Sequence, residues 1–147
     1  MRGRRGMRRA AITVLAVVGV LAVVAAPSTG AKSVKKAKHP KIAALTVSLT
    51  GKHIKMSALV SPNGGQTTYG IYIYELPEKC LATRKFGKCN PVEEGIAPAG
   101  EGTVTAGAEP REVHAASEGE PSREHPWIVQ VIANNEAGTT VKSKNLR

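Results

Sequence analysis

The sequence predicts an all-β protein, an antiparallel sandwich of about seven short strands. Apolar and polar residues alternate with a period of two in segments such as Leu45–Thr50, and turn-forming runs such as Ser61–Gly65 separate these segments. No window of about eleven residues after position 41 carries an apolar stripe at helical spacing. Short strands, frequent turns and no amphipathic helix are together typical of a β-sandwich.

The predicted strands differ in the signal that supports them. The first two alternate cleanly, the third is rich in β-branched and aromatic residues, and the sixth is the most apolar. The segment Pro77–His125 is rich in proline and glycine, so its two strands are the weakest part of the prediction. In chain order the strands are Leu45–Thr50, Ile54–Val60, Thr67–Leu76, Gly102–Ala106, Arg111–Ser117, Trp127–Ala133 and Thr139–Leu146.

The N-terminus has the three-part pattern of a secretory signal peptide. Met1–Arg9 is positively charged, Ala10–Ala26 is an apolar run, and small residues follow as far as Ala31. We expect residues 1–31 to form a signal helix that is cleaved near Ala31, which makes the protein secreted. The alternative is an uncleaved membrane anchor, because the apolar run lies at the lower limit of roughly 17–25 residues for a spanning helix.

The net charge of +10 is concentrated before residue 42. Five arginines lie in residues 1–31 and five lysines in Lys32–Lys41, which leaves 11 basic and 11 acidic groups in residues 42–147. A formally neutral folded part argues against a specific nucleic-acid binder. We expect residues 32–41 to be a disordered, Lys-rich linker that spaces the domain, or one that contacts anionic wall polymer or lipid weakly. Residues 42–147 form the single domain.

Cys80 and Cys89 are the only cysteines. An exported chain meets an oxidising compartment, so we expect a disulfide rather than a metal site, which would need more ligands than two cysteines. The bridge would close a short loop whose basic tip could contact a partner. The candidate loop contacts are Arg84, Lys85 and Lys88.

Two segments resemble the fibronectin type III-like domains of bacterial exported proteins. In Trp127–Gly138, an aromatic residue opens alternating apolar positions and an Ala-x-Asn-x-x-Gly turn follows, as in strands F and G of that family. Val60–Tyr69 is similar to the family's B–C segment. The resemblance implies a fibronectin III or immunoglobulin-like sandwich in which Trp127, where the family usually has Tyr, is the core anchor. It also implies a binding, adhesion or spacer role.

The same resemblance places strands C and F side by side, which brings four apolar residues onto the outer surface of one sheet. These residues are Tyr72, Tyr74, Ile128 and Ile132. Polar residues are expected on such a surface, so the patch is either a candidate binding surface or is covered by the middle segment, with Phe86 as one covering residue.

The sequence offers no catalytic motif. It has no Asp, no G-x-S-x-G, H-E-x-x-H or C-x-x-C pattern, and no histidine with a second ligand at metal spacing. We therefore expect no catalytic residue, cofactor or metal in a secreted, monomeric binding, adhesion or spacer module. Its partner would be an unknown protein or glycan of the cell envelope. The alternatives are an enzyme inhibitor that presents the Cys80–Cys89 loop, and a small secreted hydrolase.

Overall fold

The computed structural model describes residues 35–82 and 89–147, and this part of the chain is an all-β sandwich. Seven strands alternate with turns close to the positions that the sequence predicts. They are β1 (Lys41–Thr50), β2 (His53–Ser61), β3 (Thr67–Glu75), β4 (Gly100–Val104), β5 (Arg111–Glu118), β6 (Trp127–Asn135) and β7 (Gly138–Leu146). The predicted signal peptide, residues 1–31, lies outside the described residues.

The strands form two antiparallel sheets. One sheet has the order β1-β2-β5 and the other the order β4-β3-β6-β7. The predicted neighbourhood of the third and sixth strands is present, since Ile71 pairs with Val131 and Ile73 with Val129. A short helix, α1 (Glu78–Ala82), follows β3. In the described residues no helix has the length and apolar character needed to cross a membrane.

The main core lies between the two sheets and consists mainly of apolar side chains, with the buried Thr67 at its upper margin. Residues 54, 56, 58 and 60 of β2 alternate with more exposed neighbours, as the period of two requires. Burial of these apolar side chains removes them from water, which stabilises the fold. The buried members are Ile42, Ile54, Met56, Ala58, Val60, Ile71, Ile73, Val104, Val113, Val129, Val131 and Ala133.

The sandwich has two ends. The upper end carries the β2–β3, β4–β5 and β6–β7 turns, and the lower end carries the β1–β2 turn and the connection from β5 to β6. At the upper end, Asn63 and Gly64 adopt φ of 51° and 92°, the left-handed conformations that Asn-Gly turns favour. At the lower end, Gly119 donates its backbone N–H to Lys52.

The chain docks on the upper end before β1 begins. Ala37 and Pro40 are buried, and the Lys38 N–H donates to the carbonyl of Asn63 over 3.1 Å. The expectation of a disordered linker over residues 32–41 is therefore wrong for Ala37–Lys41. The small Ala37 and the ring of Pro40 give this lysine-rich segment apolar surface to bury, and backbone hydrogen bonds hold it in place.

Candidate functional site

The outer patch, defined as Tyr72, Tyr74, Ile128 and Ile132, forms where the sequence places it. β3 and β6 pair so that Tyr74 lies opposite Ile128 and Tyr72 lies opposite Gln130. All four side chains point away from the main core, because they alternate with the inward-facing residues of the same strands.

The outer patch is not an exposed binding surface, which corrects the prediction that it could serve as one. Tyr72, Tyr74 and Ile128 are buried, with 9%, 6% and 0% exposure, and Ile132 is partly buried. The residues that cover the patch belong to the described part of residues 76–99, which we call the cover. Its apolar members are Leu76, Cys80, Cys89 and Ile96. An apolar sheet face is stable in water when a second layer packs on it.

The disulfide between Cys80 and Cys89 holds the cover together. The two Cα atoms are 6.0 Å apart, within the usual range for a bridge, and both residues are buried. Lys79 and Glu94 form an ion pair of 2.6 Å between the two arms of the cover. Ala99 donates to the carbonyl of Ile71 over 2.7 Å and joins the second arm to β3. Arg84, Lys85, Lys88 and the proposed covering residue Phe86 lie outside the described residues.

A side-chain hydrogen bond between the two central strands lies beneath the cover. The Tyr74 hydroxyl donates to Oε1 of Gln130 over 3.2 Å, and Gln130 is only 4% exposed. Burial, and to a smaller extent the nearby charge of Glu94, together raise the pKa of Tyr74 to about 12. The neutral phenol is therefore the form that the fold accommodates.

Trp127 faces the main core, as the resemblance implies, but it is a rim residue and not a fully buried anchor. It is partly buried and packs against the edge of the core, where it pairs with Leu146 of β7. Its six-membered ring lies over Gly119, where an added Cβ would come within 2.5 Å of the ring. Trp127 is the first residue of β6 and lies at the lower end of the sandwich. Its side chain is therefore partly exposed to water.

Histidine and glutamate meet at three places on the surface. His125 Nδ1 lies 2.7 Å from Glu75 Oε1, and the two other pairs are His53–Glu118 at 3.6 Å and His114–Glu112 at 3.8 Å. Each histidine side chain is about two-thirds exposed. Within residues 35–82 and 89–147, no group of three His, Cys, Asp or Glu side chains could hold a metal ion. These pairs are solvated and separate from one another.

The most elaborate polar arrangement is at the upper end. Asn63 and Asn135, which we call the amide clamp, hold the backbone that precedes β1. Asn63 Nδ2 donates to the carbonyl of His39 over 2.8 Å, and Asn135 Nδ2 donates to that of Lys38 over 2.7 Å. Asn135 Oδ1 also accepts from the N–H of Ala137 over 2.9 Å, which shapes the β6–β7 turn.

Sequence reasoning identified both asparagines only as turn residues. The signal that it missed is that each lies in a turn at the same end of the sandwich, within reach of an incoming chain. Thr140 Oγ1 completes the attachment by donating to the carbonyl of Pro40 over 2.6 Å. Three side chains, one from the β2–β3 turn, one from the end of β6 and one from β7, thus satisfy the three successive carbonyls of Lys38, His39 and Pro40.

Comparison with known proteins adds little to this description. No family model and no curated protein matches the chain. A solved structure of β-glucosidase 3B from Thermotoga neapolitana in complex with glucose is similar at 12% sequence identity, with a TM-score of 0.31. The match covers 75% of this chain and 17% of that one. A likeness this slight carries no argument about activity.

Proposed function

We propose that this chain is an exported, non-catalytic spacer or binding module, through which the polypeptide passes from end to end. The observation that carries the proposal is the position of the two ends of the folded chain. Residues 37–40 are attached at the upper end, while β7 begins there at Gly138 and runs to Leu146 at the lower end. β6, which pairs with β7, has nine residues and therefore extends about 30 Å.

Fixed ends support a spacer role because they make the distance between them definite. At the upper end, the amide clamp and Thr140 hold the incoming chain. At the lower end, Leu146 lies beside Trp127 and packs against the core. A folded unit with attached ends keeps partners that bind at its two ends a constant distance apart, whereas a flexible linker gives a broad range of distances.

Three further observations agree with a non-catalytic, exported module. The His–Glu pairs are exposed and dispersed, which is the arrangement of solvated surface groups and not of a catalytic site. The disulfide suits an oxidising compartment. The strand orders β1-β2-β5 and β4-β3-β6-β7 agree with the proposed relationship to fibronectin type III-like domains, which supports adhesion or spacing by analogy.

A distance measurement tests the end-to-end arrangement. Spin labels at Lys36→Cys and Asn145→Cys should give a narrow distribution centred near about 30 Å. Because Cys80 and Cys89 are bridged, they do not compete for the label. The matched control pairs Lys36→Cys with Glu136→Cys, whose positions line one groove at the upper end and should give a much shorter distance. Similar distances for the two pairs would refute the proposal.

Export and binding are tested on the cell. Fractionation and intact mass should find a species that begins near Lys32 outside the cytoplasm, and retention of residues 1–31 in the membrane would indicate an anchor. The exported protein should then be incubated with cell-envelope fractions and growth medium of its own source. Envelope retention supports binding, and an associated enzyme that loses activity would favour the inhibitor alternative.

A further inference from the structure

Three lysines surround the point where the chain docks on the upper end. We call Lys35, Lys36 and Lys38 the upper-end lysines; all three are exposed. They line an open groove of about 410 Å³ together with residues 61–64 of the β2–β3 turn and residues 108–110 of the β4–β5 turn. A basic segment of this kind would ordinarily be mobile, but here the fold places it on a defined surface.

The backbone of this segment is fixed on both sides of Lys38. Its N–H donates to Asn63 over 3.1 Å, and its carbonyl accepts from Asn135 over 2.7 Å. The Cα atoms of Lys35 and Lys38 are three residues apart and therefore lie at most about 11 Å from each other, so the three lysines share one part of the upper end. A ligand that contacts Lys38 does not have to order the backbone of this residue, and preorganisation of this kind increases affinity.

The charges at the upper end favour the binding of an anion, although two carboxylates oppose it. Among the described residues, none of the upper-end lysines forms an ion pair, in contrast to Lys52 and Lys79, which pair with Glu120 and Glu94. Glu109 lines the same groove, and Glu136 lines the adjacent one with Lys35 and Lys36. These two carboxylates reduce the positive potential but leave the cluster with an excess of cations.

The side chains of the groove distinguish between two kinds of anionic partner. A protein that lies on a lipid surface inserts large apolar or aromatic side chains beside its basic residues. The apolar residues that line the two upper-end grooves are small, comprising Ala37, Pro62, Ala108, Pro110 and Ala137. This composition fits a soluble, extended chain of anionic groups better than a bilayer.

We propose that the upper end binds an extended polyanionic polymer of the cell envelope, one that repeats phosphate or carboxylate groups. The proposal rests on the proposed function, since it needs an exported module, and it names the class of partner. Successive anionic groups of the polymer contact successive lysines and release counterions. Affinity then depends on the location of the lysines and not only on the net charge of the protein.

The test compares two triple variants with equal loss of charge. Lys35→Gln/Lys36→Gln/Lys38→Gln removes the cluster. Lys55→Gln/Lys142→Gln/Lys144→Gln removes three exposed lysines of β2 and β7, which form no ion pair within the described part of the chain. The probe is long-chain inorganic polyphosphate. It is added to the exported form of the protein, from which the cell has removed the signal peptide. The first variant should bind at least about tenfold more weakly, and the control should change by less than about twofold.

Two further measurements make the test stricter. Binding should weaken roughly twentyfold between about 50 and about 200 mM salt if three charges are neutralised. Glu109→Gln/Glu136→Gln should tighten binding, because it removes the opposing carboxylates. Equal losses in the two triple variants would overturn the proposal, as would stronger binding to anionic lipid vesicles than to polyphosphate. If the chain stays in the cytoplasm but these binding differences persist, the proposal of export is wrong and the proposal of a polyanion-binding surface is retained.

Discussion

The two faces of the four-stranded sheet are both buried, but by different means. The inner face packs against the β1-β2-β5 sheet through a cluster of twelve buried apolar residues. The outer face packs against the cover, through a cluster of six. On the inner face the buried Thr67 hydroxyl donates locally to the carbonyl of Gly65. The outer face contains the Tyr74–Gln130 hydrogen bond between two strands and is bounded by the Lys79–Glu94 ion pair and the disulfide.

The difference shows what a small second core needs. Two sheets of regular strands bury enough apolar surface to hold each other in place. The cover contains only a five-residue helix and turns, so it buries little surface per ordered residue. A cross-link that reduces the freedom of the unfolded cover offsets part of this ordering cost. We therefore expect the outer face to open locally while the inner face remains closed.

The largest effect should come from removing matched isoleucines on the two faces. Ile71 and Ile128 are both 0% exposed, the first in the inner cluster and the second in the outer. We expect Ile71→Ala to cost about 4 kcal/mol and Ile128→Ala about 2 kcal/mol, because the cover can settle into the space and the sheets cannot. Urea unfolding of both variants measures this. An equal or reversed order would contradict the comparison.

Trp127 tests where the inner core ends. Trp127→Ala should cost about 3 kcal/mol, at the low end for an aromatic residue because the ring is only partly buried. Trp127→Tyr should cost much less, since it keeps a ring over Gly119. The intrinsic fluorescence should shift to the red on unfolding. A native emission already like that of Trp in water would show that the ring does not pack against the core.

The disulfide should matter chiefly to the cover. Cys80→Ala/Cys89→Ala opens a loop of sequence separation 9, which the chain-entropy model values at about 2.7 kcal/mol. Hydrogen exchange should accelerate in residues 76–99 and stay slow in β2, β3 and β6. The control Lys79→Gln breaks only a partly exposed ion pair and should cost about 0.5 kcal/mol. Cooperative loss of protection across the sandwich would show that the two faces are not independent.

The smallest effect is a pH dependence of the cover above pH 10. Because the pKa of Tyr74 rises from 10.0 to about 12 in the folded state, the folded form binds its proton more tightly than the unfolded form. The contribution of the neutral phenol to the free energy of unfolding is fully present below pH 10. It is lost as the pH rises through about 12, and the loss amounts to about 2 kcal/mol or less. Urea unfolding at about pH 9 and about pH 11 measures this change in stability. Tyr74→Phe should abolish this dependence; if it persists, another group causes it.

The sequence predicted all seven strands to within a few residues, including β4 and β5 of the middle segment, but it did not predict α1. Alternation in β2, or the run of β-branched and aromatic residues in β3, is a property of neighbouring residues and survives without tertiary information. α1 has five residues, too short to show a helical stripe, and it forms because Cys80 packs on the outer face. The outer patch was visible as a set of residues, and its two interpretations could not be separated without the position of the cover.

By itself, therefore, the sequence determined the strand positions and the pairing of the two cysteines, because these follow from local spacing or from the only available partner. The inward face of β6 was predicted from the resemblance to fibronectin type III-like domains and not from local spacing. The tertiary structure decided what covers Tyr74 and where the chain docks before β1. Asn135 meets the carbonyl of Lys38 across 97 residues, and Thr140 meets that of Pro40 across 100. Contacts at such separations depend on how the strands are ordered in space, and no local pattern records that order.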